Sequence, residues 1–142
     1  MWMKVSGVIG RAIIAGMDQD RDRLRKLGAG LIRLHSLLMD RERRAYESRR
    51  GPVGSRELLE LLLHDEHFAW LRSLSGLMAR IDELVDADEP LTARESEDVL
   101  RETYWLLKSG DRGPFQDKYR EALQESPDIV MTHAGISEVL RT

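Results

Sequence analysis

Leu24-Arg-Lys-Leu27-Gly-Ala-Gly-Leu31-Ile-Arg-Leu34-His-Ser-Leu-Leu38 is the stretch that decides the fold. Its leucines at 24, 27, 31, 34 and 38 recur in steps of three and four, and Ala45 extends them into one apolar stripe. That spacing predicts an amphipathic helix from Asp20 to about Arg50. Gly28 and Gly30 each cost about 1 kcal/mol against Ala inside a helix. They imply either a second helix crossing closely at that point or a regular helix that starts later. Gly51-Pro-Val-Gly-Ser55 ends the stripe as a turn.

Downstream, Ser55 is placed to N-cap a second helix, with Glu57 in its first turn where negative charge suits the dipole. Leu63, Trp70, Leu77 and Leu84 recur every seven residues, interleaved with His67, Leu74 and Ile81. This is a packing seam running to about Val85, with a restart available at Asp65 because Asp is a good N-cap. At about 1.5 Å per residue each long segment spans roughly 45 Å. Equal lengths predict an antiparallel helical hairpin.

Asp86-Ala-Asp-Glu-Pro90 breaks the pattern, and Thr92-Ala-Arg-Glu95 is a capping box opening a helix over Ala93–Lys108. Its inward residues are Val99, Leu100, Thr103, Leu106 and Leu107, and Gly110 follows its end. Pro114 opens a shorter helix with Phe115, Tyr119 and Leu123 inward. Ser126-Pro127 caps and opens a last one through Ile129, His133, Ile136 and Leu140. No strand pattern of useful length follows residue 17. The fold class is therefore all-α, a compact bundle of four to six helices built on a long antiparallel hairpin.

The chain has 142 residues, 42% hydrophobic and 33% charged, with no cysteine. That composition excludes a disordered or collagen-like chain. Zero cysteines exclude disulfides, thiolate metal sites and a Cys nucleophile, and fit a cytoplasmic setting. The net charge of −3 divides unevenly, with 13 Lys+Arg against 6 Asp+Glu in residues 1–56 and 9 against 19 in the rest. Two halves lying against each other with complementary charge account for this more simply than a polyanion-binding arm.

Residues 1–16 form an N-terminal extension to a single domain over 17–142. Arg11 interrupts their apolar run, no clean cleavage site follows, and they are too short to span a membrane. They read as a start-site artefact ahead of Met17 or a frayed segment, ahead of an ordered apolar plug or a weak interfacial anchor.

Phe68-Ala-Trp-Leu-Arg-Ser-Leu-Ser-Gly-Leu77 with Ile81-Asp-Glu83, Leu34-His-x-Leu-Leu38, Tyr46-Glu47 and Tyr119-Arg-Glu-Ala-Leu123 resemble a group of small uncharacterised helical proteins from bacteria. The resemblance covers about residues 18–140. It implies a bacterial, soluble, all-helical protein and supplies no activity or site residue.

The best candidate chemistry is Glu57, Glu60, His64 and His67, whose spacing of three, four and three places them on one helix face. Glu60, His64 and His67 could hold zinc or iron, with His35 or Glu102 completing the shell. A di-iron bundle, however, needs Glu-x-x-His motifs, and this chain has none. The plainer reading pairs Glu57 and Glu60 with Arg49 and Arg50 across the turn and makes His67 a seam residue. Neither metal nor cofactor is expected.

The second candidate is Arg41, Arg43, Arg44, Arg49 and Arg50 around Tyr46, which could contact nucleic-acid phosphates and stack a base. Glu42 and Glu47 interrupt it, and a pI of about 5.8 lies far below that of a dedicated nucleic-acid domain. Intramolecular pairing is the simpler account. Arg21, Arg23, Arg25 and Lys26 would likewise face the Asp82–Glu89 acidic stretch. Ser73-Leu-Ser-Gly76 lacks the leading glycine of a nucleophile elbow, and Gly51-Pro-Val-Gly54 is too short for a phosphate loop.

Trp105 lies off the Val99/Thr103/Leu106 stripe, so it is expected at the surface as a contact hot spot. The leading function is a non-enzymatic interaction or regulatory module, acting on a protein partner or as a homodimer. The alternatives are a metal- or small-ligand-binding bundle using the Glu60/His64/His67 face, and a nucleic-acid-associated protein using the Arg41–Arg50 cluster.

Overall fold

Leu24, Leu27, Leu31, Leu34 and Leu38 are all fully buried in the computed structural model, which describes the backbone of residues 2–142 and the side chains of residues 19–142. They line helix α1, which runs unbroken over Trp2–Arg50. The start expected near Asp20 is therefore corrected to Trp2. The readings of residues 1–16 concern side chains outside the described ones. Around α1 stand α2 (Ser55–His64), a 3-10 segment (Glu66–Leu71), α3 (Arg72–Asp86), α4 (Ala93–Lys108), α5 (Pro114–Glu125) and α6 (Pro127–Arg141). Among the described residues there is no strand, and no helix is long and apolar enough to cross a membrane.

The hairpin forms, with its second arm in three pieces. Arg21 donates to the carbonyls of Ala87 and Glu89, His35 meets Ser75, and Glu42 meets His67. These pairs climb α1 while descending the second arm, which fixes the antiparallel register. The restart at Asp65 is a full break. Asp65 is extended (φ −87°, ψ 139°), and its carboxylate accepts the His67 amide at 2.8 Å. Since the α2 axis no longer continues into the seam, Leu63 is 54% exposed while Trp70 and Leu77 are buried.

α6 also lies antiparallel along α1. Arg23 donates to the carbonyls of Val139 and Leu140 at 3.0 and 2.7 Å, supplying partners that the end of α6 lacks. Gly30 marks this approach, since a Cβ there would sit 2.8 Å from Ile136 Cγ1, whereas one on Gly28 would meet Ile81 of α3 at an ordinary 3.5 Å. The close-crossing reading of Gly30 is the correct one.

Local capping follows the sequence with two corrections. The Thr92 hydroxyl accepts the Glu95 amide at 3.1 Å but donates to the Glu95 carboxylate, so the capping box closes side chain to side chain. Gly54, not Ser55, is the N-cap of α2 and makes no side-chain cap bond. The turn before it is held from α1 instead: Glu47 accepts the Val53 amide at 2.8 Å and Arg43 donates to the Val53 carbonyl at 2.7 Å. Gly51 takes the left-handed conformation there (φ 87°). Ser126 caps α6 through the Ile129 amide.

Between α1 and α3, His35 Nε2 lies 2.9 Å from Ser75 Oγ, and burial pushes the imidazole below its ordinary pKa. His133 on α6 is lowered as well, by burial and then by the nearby Lys108 charge. Both imidazoles take up a proton more readily in the unfolded chain. Their contribution is thus complete above the unfolded value of about 6.5 and is lost as pH falls. Urea midpoints should drop between pH 7 and pH 5, and His35→Gln should drop less. An identical drop in that variant would remove His35 from the acid response.

Candidate functional site

The α1 stripe does not end at Leu38. Its next inward position is Glu42, a carboxylate only 3% exposed. Arg41 binds it at 2.8 Å, and His67 Nε2 lies 2.7 Å from its Oε2, so that ring nitrogen carries the proton donated to the carboxylate. Arg41 also holds Glu125 at the end of α5 at 2.8 Å. Glu42 therefore ties α1 to the 3-10 segment, and its partner Arg41 carries the network on to α5. The His67 ring packs at 5.0 Å from Phe68 and 5.9 Å from Tyr46, centroid to centroid. Ala45, expected inward, is exposed because Glu42 and Tyr46 take the core-facing side.

Above this pair opens a cleft of about 480 Å³ between the end of α1 and the α2 break, lined by Tyr46, Arg49, Arg50, His64 and His67 together with two acidic residues. The two separate sequence candidates thus share one corner of the molecule. The Arg50 guanidinium lies 5.4 Å over the Tyr46 ring, a cation–π contact. Asp65 and Glu66 offset the two arginines, and the carbonyl end of α1 adds further negative potential. The lining holds no serine, threonine or cysteine to serve as a nucleophile.

The candidate metal face is not assembled. Among the described residues no three His, Asp or Glu side chains are grouped to hold an ion. The reason is the break at Asp65: Glu60 and His64 belong to α2, whereas His67 sits in the 3-10 segment and is engaged by Glu42. The expected pairing is corrected as well. Among the described residues Glu57 and Glu60 make no ion pair with Arg49 or Arg50, while Arg43 pairs with Glu47 at 3.4 Å. At the far end of the hairpin, Arg21 does meet the acidic stretch, through the backbone carbonyls of Ala87 and Glu89 rather than its carboxylates, whereas Arg23 binds carbonyls of α6 and Arg25 binds Asp22.

α2 itself carries no buried residue. Leu59 and Leu63, one turn apart, are 57% and 54% exposed, and Leu58, Leu61 and Leu62 lean on the core. The seven-residue repeat assigns Leu63 to a seam and leaves Leu59 outside it. The available signal was the run Leu58-Leu-Glu-Leu-Leu-Leu63, which surrounds a short helix with more leucine than one buried side can take. On α4, Trp105 is 49% exposed as expected, beside Tyr104 at 52%, with its indole N–H bound to Asp111 at 2.9 Å. No protein-family model, no curated protein and no solved structure matches this chain.

Proposed function

We propose that this chain is a non-enzymatic interaction module of the cytoplasm, and that the outward leucine face of α2 is its contact surface. The supporting observation is α2: a helix with no buried residue that displays Leu59 and Leu63 to solvent. Exposed leucines one turn apart form a short stripe suited to meeting another helix. The occupant we commit to is a second copy, because a stripe of two equivalent leucines is self-complementary about a twofold axis.

Sedimentation of the full chain tests this. The wild type should self-associate at micromolar concentration. Leu59→Asp with Leu63→Asp should weaken association at least about tenfold while leaving helicity unchanged, since exposed substitutions usually cost under about 0.5 kcal/mol. A wild type that stays monomeric overturns self-association. Weakening by Trp105→Ala but not by the α2 pair would overturn α2 as the surface and place it on α4.

A further inference from the structure

Between α4, α5 and α6 lies a second cavity, of about 260 Å³, away from the α2 corner. One part of its wall is apolar, made by Leu106, Leu107 and Leu123. The rest is polar and one-signed: Lys108, Arg120, His133 and Gln116, with no carboxylate in the lining. In a chain with 25 acidic residues, a cavity edged by two cations and no acid is unusual.

The polar groups are set as donors. Tyr119 Oη lies 2.6 Å from His133 Nδ1. Burial keeps the phenol protonated, so it donates, and the imidazole is held neutral by burial and by Lys108. The proton of the ring then sits on Nε2. Lys108 makes no ion pair among the described residues, and Arg120 has only long contacts of 3.5 Å to Asp117 and the Gly110 carbonyl. Asp117 is instead taken by Arg112 at 2.8 Å. Gln116 is 6% exposed, and its amide nitrogen is buried without an acceptor. That nitrogen is sealed from solvent, so the donors a ligand can reach are those of Lys108, Arg120 and His133.

We propose that this cavity binds a small organic carboxylate, its anionic end among Lys108, Arg120 and His133 and its hydrocarbon part against Leu106, Leu107 and Leu123. The volume lies at the lower edge of ligand sites, which fits a metabolite-sized molecule. This inference is independent of the α2 surface.

The test follows the His133 ring resonance by NMR, assigned with His133→Gln, while the full chain is titrated with hexanoate, hexylamine or inorganic phosphate. Hexanoate should shift the resonance saturably, and hexylamine and phosphate should not. Lys108→Met and Arg120→Met, both on partly or fully exposed side chains, should each weaken hexanoate about tenfold, the loss expected for one charge-assisted hydrogen bond. No response to hexanoate overturns the site. An equal response to hexylamine would mean apolar uptake alone, and one to phosphate a diffuse ionic effect, each overturning the carboxylate assignment. So would unchanged hexanoate affinity in both variants.

Discussion

Replacing Phe68 by alanine should lower stability by about 3–5 kcal/mol, the range for emptying a buried aromatic site. Phe68 is fully buried in the 3-10 segment, packed against Tyr46 of α1 at 5.8 Å and against His67 at 5.0 Å. That segment joins α2 to the rest of the bundle, and a 3-10 turn has poorer hydrogen-bond geometry than an α-helix. Its position must come from side chains, of which Phe68 is one of the largest. Urea unfolding should show a lower midpoint with an unchanged slope, and thermal melting a fall of roughly 10–15 °C. A loss under about 1 kcal/mol would mean that the segment is anchored by Trp70 and Leu71 alone.

Glu42→Ala should cost about 2–3 kcal/mol. Removing one partner from a buried ion pair costs 3–5 kcal/mol when the other charge is stranded in the interior. Here Arg41 and His67 keep 20% and 21% of their side-chain surface, and Arg41 retains Glu125, so the lower figure applies. A cycle with His67→Ala should give a coupling of about 1–2 kcal/mol. The double variant Glu42→Met/His67→Leu should lose less than Glu42→Ala alone, because matched apolar groups leave no charge unpaired. Additive single losses would show that Glu42 and His67 stabilise the corner separately.

The core was legible in the sequence because leucine spacing is itself a geometric statement: five positions at three- and four-residue steps define one face, and all five are buried. Helix ends were legible at Thr92 and Ser126, where short-range hydroxyl chemistry dominates. The site was less so. Nothing in the spacing marks Glu42, because a charged residue on a core-facing position reads as a flaw in the stripe until His67 is seen opposite it, 25 residues away. Tyr119 and His133 meet from different helices for the same reason. The metal face failed because helical spacing carries through only if the helix does, and Asp65 ended it.

α2 has a dynamic consequence. A helix held only by the partly buried Leu58, Leu61 and Leu62 gives up less apolar burial on leaving its neighbours than α1 would, so its amides should exchange with solvent at a free energy well below that of the α1 leucine stripe. Its ten residues are too few to persist as an isolated helix once detached. Undocking and unwinding are then one event. A partner seated on Leu59 and Leu63 would slow exchange across all of α2, and part of its binding energy would be spent on that ordering.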